Sequence, residues 1–417
     1  MLRPKSNPSH LLSSQTIQFL QSCRSDDEID VVRLVDCVII DAVRSGASDI
    51  HIEPWESSVA VRVRLSGVLN ELVHLPSDLL PKIVGRLKIM ANLVGHETTL
   101  PQEGRAPTFE EAGNVVLRIS TFPTIRGEKV VIRIFDPRGR SFDLEGLGIE
   151  EDTLAVFKGL LSKPTGLILL TGPTGSGKTT ALYAALHHLI ERAGPSISVA
   201  TVEDPVEFNL PLIAQSQCNP ARDYTYPIAL RSLMRQDPQV IMIGEIRDAE
   251  TANIAVQAGL TGHLVLSTIH AANTPGVFAR LINMGIEPFL LASSIVGILG
   301  TRLVRRNCPI CSESYVPEES LLRWVPEHLQ AHAQFRRGVG CDTCSHTGFS
   351  GRLSVTEMLT VGENLRHAIL EKMPTRRLQE IAVADGLQTL WDKGLRRVLE
   401  GETTLEEILR VIGMEGF

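Results

Sequence analysis

Apolar positions along the chain change rhythm twice. Over residues 31–43 they recur at helical spacing (Val31, Leu34, Val35, Val38, Ile39, Ala42), with Gly46 just beyond to end the element. Residues 48–75 alternate instead, through Ile50 and Ile52 and then Val59, Val61, Val63 and Leu65, the period of half-buried strands. Residues 79–93 return to a helical pattern, and 115–119 and 129–135 read as further strands. Together these segments predict an α+β domain of roughly one hundred residues.

Asp136-Pro-Arg-Gly-Arg140 breaks this pattern as a linker does. Beyond it lie short unbroken apolar runs: Leu167-Ile-Leu-Leu170, Ile197-Ser-Val-Ala200, Val240-Ile-Met-Ile243 and Leu264-Val-Leu266. Helical stretches separate them, which predicts a parallel sheet covered on both faces. After Gly351 the chain reads as mostly helical, at residues 365–372, 377–384, 387–399 and 405–412. The Ser/Asn/Gln-rich first residues carry no clear period and read as a flexible or partly helical arm, and no fixed-period repeat is visible.

Composition narrows the classes. The chain has 417 residues, 43% hydrophobic and 21% charged, which suits two or three globular domains. A formal net charge of −7 argues against a chain whose main task is gripping phosphate backbones. No apolar run approaches the ~20 residues of a membrane span, the run from Phe289 to Gly300 being broken by Ser293, Ser294 and Gly297. The N-terminus lacks the apolar stretch of a signal peptide, so the expected location is the cytoplasm, with any membrane role peripheral.

Seven cysteines fall into two groups. Cys23, Cys37 and Cys218 are scattered and read as small buried apolar residues. Cys308-Pro-Ile-Cys311 and Cys341-Asp-Thr-Cys344 are two C-x-x-C pairs, which in a reducing compartment read as metal ligands before disulfides. Four thiolates suit tetrahedral Zn²⁺ in a closed, structural site. Residues 312–340 between the pairs are expected to project as a metal-stapled excursion.

The strongest chemical signal is Gly172-Pro-Thr174-Gly175-Ser176-Gly177-Lys178-Thr179, a G-x-x-x-x-G-K-[ST] motif that follows one predicted strand and opens a helix at Thr180. Glycines let backbone N–H groups wrap round a phosphate, and the helix N-terminus adds positive potential. Lys178 is expected at the β- and γ-phosphates and Thr179 at Mg²⁺. Two carboxylates compete for contact with the metal and the attacking water: Glu245, ending the apolar strand Val240-Ile-Met-Ile-Gly-Glu245, and Glu203 in Thr201-Val-Glu-Asp-Pro205. No Asn-Lys-x-Asp tetrad is present, which disfavours a guanine-specific GTPase. His263 and His270 flank the strand Leu264-Val-Leu266, either as structural histidines or as groups that sense a phosphate oxygen.

Taken together, these motifs resemble the secretion ATPase superfamily, which powers type II secretion and type IV pilus assembly. Ala47-Ser-Asp-Ile-His-Ile-Glu-Pro54 is similar to its N-terminal signature, Thr201–Pro205 to its Asp box, Arg235-Gln-Asp-Pro through Gly244-Glu-Ile-Arg-Asp248 to its Walker B segment, and Gly262–His270 to its His box. The resemblance implies a RecA-like P-loop NTPase domain with a smaller N-terminal α+β, PAS-like domain, a zinc-binding tetracysteine insertion and a helical C-terminal part. It also implies that Arg118, Arg133 and Arg126 reach a nucleotide of this or a neighbouring subunit, and that the tetracysteine module marks an extension-type motor. In numbers, the expected division is an arm at 1–30, the α+β domain at 31–137, a linker at 138–145, the ATPase core at 146–305, the zinc module at 306–350 and helices at 351–417.

The sequence departs from the family pattern in places. Arg62-Val-Arg64-Leu-Ser66-Gly67 has Ser where the family carries Asp, Val94 through Arg105 lacks the usual charges, and Thr301 replaces the Gln common before Arg302-Leu. Only some forty residues precede the first signature, so the extra N-terminal domain of many relatives is expected to be missing. The function implied is a homo-hexameric, Mg²⁺-dependent ATPase whose domains rotate about residues 136–145, recruited to an inner-membrane platform or a cytoplasmic docking protein, with no nucleic acid expected. The alternatives are a hexameric nucleic-acid translocase, disfavoured by the net charge and the 5% aromatic content, and an ATP-binding ring scaffold without turnover.

Overall fold

The computed structural model describes residues 15–23, 29–109, 112–113, 115–135, 142–330, 333–344 and 346–413. They fall into two units, Met1–Arg140 with Val339–Ser350, and Ser141–Gly338 with Gly351–Phe417. Residues 136–141 of the expected linker, and 1–14 and 24–28 of the expected arm, lie outside the described residues.

The first unit is built on β1 (Asp49–Pro54), β2 (Val59–Leu65), β3 (Val68–Leu75), β4 (Gln102–Phe109), β5 (Val115–Thr124) and β6 (Gly127–Phe135). They form one sheet in the order β3-β2-β1-β6-β5-β4, with every pairing antiparallel. The helix Val31–Arg44 is started by Asp30, whose carboxylate accepts from the Arg33 N–H at 3.1 Å. Its Leu34, Val38 and Ile39 join Ile83 and Leu87 of the helix Leu80–Met90 and Ile50, Ile52, Leu117 and Ile132 of the sheet in one core. Within the arm, Gln15–Ser22 is a helix whose first N–H groups donate to Asp41.

The second unit contains β7 (Gly166–Thr171), β8 (Val199–Glu203), β9 (Ala214–Gln217), β10 (Val240–Ile243), β11 (Leu264–Ile269), β12 (Ile295–Asn307), β13 (Ser312–Ser314), β14 (Arg336–Gly338) and, from Gly351 on, β15 (Phe349–Thr360). Its main sheet runs β15-β12-β7-β11-β10-β8-β9, parallel from β12 through β9. The unbroken apolar runs have the physical outcome expected of them, because successive side chains point to opposite faces. Leu167, Leu169, Ile241, Ile243 and Val265 face one core with the helices Ala249–Leu260 and Gly276–Asn283. Ile168, Leu170, Val240, Met242, Leu264 and Leu266 face the other with the helices Glu151–Leu161 and Lys178–Ala193.

After Gly351 the chain first completes β15, an edge strand beside distant β12, and the expected helices follow from Glu363 onward. Two expectations need correction here. Residues 312–338 do not project. Val325, with Leu321, Trp324, Leu329 and Phe335, packs into a fourth core against Val304, Val355, Trp391, Leu395 and Ile408, and Asn307 donates to the carbonyls of Arg336 and Gly401 at 2.8 and 2.9 Å. Burying that apolar surface outweighs exposing it as an excursion. Of the scattered cysteines, Cys37 and Cys218 are buried, but Cys23 is half-exposed.

Candidate active site and metal centre

Parallel pairing brings the chemistry to one edge of the second sheet. Ile269 lies opposite Thr171, Ile243 opposite Ser267, and Ile243 opposite Val202, so Gly172, His270, Gly244-Glu245 and Glu203 all leave the carboxyl ends of neighbouring strands. That edge is where open α/β sheets bind ligands.

The loop from Gly172 to Thr179 has the backbone that its glycines allow. Gly172, Gly175 and Gly177 have φ of 149°, 77° and 97°. A Cβ on Gly172 would lie 2.5 Å from the Thr301 carbonyl and 2.6 Å from Ser176 Oγ, so only glycine fits that turn. Thr174, Gly175 and Thr179 are exposed and Thr180 is half-buried, at the positive end of the helix that Lys178 opens. Lys178 is itself buried, its ammonium donating to the Gly172 and Pro173 carbonyls at 2.8 Å each. Burial pushes its pKa down to about 8, with Arg302 adding to the effect and the charge of Glu245 opposing it. A triphosphate suits this cradle, because its anionic oxygens are better partners for a desolvated ammonium than two carbonyls are.

The two candidate carboxylates differ in surroundings. Glu203 is 3% exposed and takes hydrogen bonds from Tyr183 Oη, from Thr201 Oγ1 at 2.6 Å and from Gln215 Nε2 at 3.0 Å. Glu245 is half-buried and paired with exposed Arg247, whose pKa that hydrogen bond raises. The turn before Glu245 is tight: a Cβ on Gly244 would lie 2.8 Å from Tyr226 Oη.

His270 is exposed at the loop edge, and its neighbour Ala271 is held by the Thr171 hydroxyl through bonds of 3.1 and 3.2 Å. His263 is not brought to the loop. It precedes Leu264, which lies opposite Gly166 at the start of β7, and its Nδ1 sits 3.2 Å from the Ala258 carbonyl. Six strand residues separate the two edges, roughly 20 Å at the usual rise, so within its own chain His263 sits at a helix end on the edge away from the phosphate loop.

In the first unit the sheet register aligns the arginines. Arg64, Asp49, Arg133, Arg118 and Arg105 are successive cross-strand partners from β2 to β4, and such partners share a face. Asp49 offsets two of them, at 3.4 Å from Arg64 and 3.3 Å from Arg133, and Glu103 pairs with Arg118. Arg133 remains about half-exposed at 52%. Arg126 is exposed between β5 and β6.

The four paired cysteines converge: the Sγ atoms of Cys308, Cys311, Cys341 and Cys344 all lie within 4.8 Å of one another. A tetrahedron with Zn–S bonds of ~2.3 Å has edges of roughly 3.8 Å, and the Cys341–Cys344 separation is 3.7 Å. The donor set and spacing therefore fit a closed zinc site. Among the described residues no other group of three or more potential ligands has this arrangement, and no helix is long and apolar enough to cross a membrane.

Sequence reading missed Tyr183 and Gln215 as parts of this edge, since neither carries a local motif, and met Arg302 only as part of the family pattern after Thr301.

Comparison with known proteins agrees with this architecture. The family model described as type II/IV secretion system protein matches residues 24–410. The type II secretion system protein HxcR of Pseudomonas aeruginosa is 44% identical over 387 residues, covering 93% of this chain and 78% of that protein. The type IV pilus assembly ATPase PilB of Myxococcus xanthus is 42% identical over 394 residues, covering 93% and 69%. Among solved structures, the Legionella pneumophila ATPase DotB superposes with a TM-score of 0.66 at 19% identity, over 92% of this chain and 96% of that one, a likeness of fold.

Proposed function

The chain belongs to the type II/IV secretion system protein family, and on that premise we propose that it is the ATPase motor that drives assembly of a type II secretion pseudopilus or a type IV pilus. The observation that carries the chemistry is the meeting of the Gly172–Thr179 loop, Lys178 and Glu245 at one sheet edge, close enough for the two charges to influence each other. The relatives, named as secretion and pilus assembly proteins, favour neither alternative function.

Backbone N–H groups of Thr174 to Thr179 bind the phosphate chain of ATP, and Lys178 exchanges its loop carbonyls for the β- and γ-phosphate oxygens. Thr179 and an edge carboxylate would hold Mg²⁺, which would supply positive charge against the phosphates. Glu245, half-buried and on a tight turn, orients and polarises the attacking water. Glu203, anchored by its three donors, keeps its side of the edge rigid. His270 senses the γ-phosphate. Arg133 and Arg118, with Arg126, neutralise charge developing in the transition state, an effect worth ~10³–10⁵ in rate when such arginines are delivered.

A closed homo-hexamer is the simplest assembly that supplies arginines in trans, and rotation about residues 136–145 is the proposed output stroke. The zinc site is structural and fits an extension-type motor. We place the motor in the cytoplasm, held at the inner membrane by a platform or docking protein. Steady-state hydrolysis tests the reading: Lys178→Ala and Glu245→Gln each abolish phosphate release, and full activity in either refutes the site assignment.

A further inference from the structure

One buried carboxylate has no part in the chemistry above. Glu357 lies on β15 and is 3% exposed. Its Oε1 accepts from the Thr274 hydroxyl at 2.7 Å and from the Thr274 N–H at 3.3 Å, while Oε2 accepts from the Leu390 N–H at 2.9 Å. Thr274 is fully buried. The fit around the pair is close: a Cβ on Gly300 of β12 would lie 2.8 Å from Glu357 Cγ and 3.0 Å from Thr274 Cγ2, so β12 needs glycine where it passes them.

Thr274 ends a short segment that leaves β11 with His270. At its start the segment is held by residues beside the phosphate loop, and at its end the Val277 N–H donates to the Thr274 carbonyl at 3.2 Å and the Gly276 N–H to Asn273 Oδ1 at 2.9 Å. Thr171 holds Ala271 at both N–H and carbonyl. Arg302 donates to the Ala272 carbonyl at 2.8 Å and to the Thr301 carbonyl at 3.0 Å, and Thr301 Oγ1 lies 3.0 Å from Ser176 Oγ of the loop. Glu357 adds the long-range side-chain anchor at the far end, and its second oxygen rests on the first N–H of the helix Leu390–Leu399. An exposed group such as His270 holds reactive geometry only if its backbone is fixed from both sides.

We propose that Glu357 is a positioning residue for the hydrolysis, acting through Thr274 to hold the Ala271–Thr274 segment, and with it His270, at the sheet edge, and joining that segment to the start of the C-terminal helix Leu390–Leu399. The inference rests on the reading of this edge as an ATP-hydrolysing site. It predicts a loss in the chemical step without a loss in substrate affinity, because the loop that binds the phosphates is built on other residues.

The test uses the full chain, with steady-state kcat and KM for ATP and amide hydrogen exchange over residues 271–276. Glu357→Gln keeps one acceptor oxygen and loses the other, so kcat falls at least about tenfold while KM stays within about twofold. Thr274→Ala does the same, Thr274→Ser restores most of the loss, and Glu357→Gln with Thr274→Ala is no worse than either alone. Exchange over 271–276 quickens in Glu357→Gln and in Thr274→Ala. The proposal is overturned by kcat within about twofold of the parent in a folded variant, by KM rising in step with the fall in kcat, or by unchanged exchange. Should Glu357→Gln not fold, the Thr274 pair decides alone. A parent chain that hydrolyses no ATP refutes the motor reading, while the exchange measurement still decides the Glu357 tie.

Discussion

Tyr183, on the helix that Lys178 opens, donates its hydroxyl to the Glu203 carboxylate at the end of β8. The phosphate loop and the second acidic strand are thereby linked through a buried phenol, whose pKa burial and that carboxylate both raise. The ring is fixed edge-on against Phe142 and Phe208, with centroids 5.4 and 6.0 Å away.

Tyr183→Phe keeps the ring packing and removes the hydroxyl, leaving Glu203 short of a donor and the Glu207 N–H short of its 3.2 Å acceptor. The expected loss is about 1–3 kcal/mol in the stability of the ATPase unit, read from chemical denaturation. Hydrolysis falls but persists, in contrast to its abolition in Glu245→Gln.

Nucleotide affinity should decline in alkali. Lys178 has a pKa lowered to about 8, so above that value the nucleotide-free chain holds a neutral amine, and phosphate binding must first take up a proton. KM for ATP is flat below pH about 8 and rises above it toward tenfold per unit. Calorimetry in buffers of different ionisation enthalpy should show proton uptake on binding in that range, and none would mean that Lys178 is already charged.

The tetracysteine cluster should hold one zinc ion per chain, measured by elemental analysis of the purified protein. Chelation, or Cys308→Ser, removes it and lowers the denaturation midpoint, a loss on the order of several kcal/mol. Since residues 312–338 pack on the C-terminal helices, limited proteolysis is expected to cut there first once the metal is gone.

Glu407 is fully buried and accepts from the Arg305 N–H at 3.0 Å, from its guanidinium at 2.8 and 3.0 Å, and from Arg410 at 2.6 and 2.8 Å. Burial alone would raise its pKa, but the hydrogen bonds from Arg410 and Arg305 outweigh burial and lower it. A carboxylate with a depressed folded pKa contributes stability above its unfolded value and loses it as pH falls through the folded one. Glu407→Gln should therefore cost about 3 kcal/mol at neutral pH, the low end for a buried pair because Arg410 keeps water. The variant should lose less stability than the parent as pH drops below the ordinary value of 4.5.

Some of this molecule is written locally. The Gly172–Thr179 loop is legible because its glycines, its lysine and the helix it opens are all decided within a few residues, and the unbroken apolar runs announce a sheet buried on both faces. The paired cysteines likewise advertise their chemistry by spacing. Other features exist only because distant segments meet. Strands β4, β9 and β15 were not legible, since they lie at or near sheet edges and their backbone bonds are made to partners far along the chain. His263 and His270 look equivalent as flanks of one strand, yet parallel register sends them to opposite edges. The alignment of Arg64, Arg133, Arg118 and Arg105 in one row is a property of pairing, which a shift of one residue would destroy. Sequence alone thus decided which chemistry is present, because phosphate cradles and metal ligands are short-range patterns; only the tertiary structure decided which groups stand together, because that is settled by long-range register and burial.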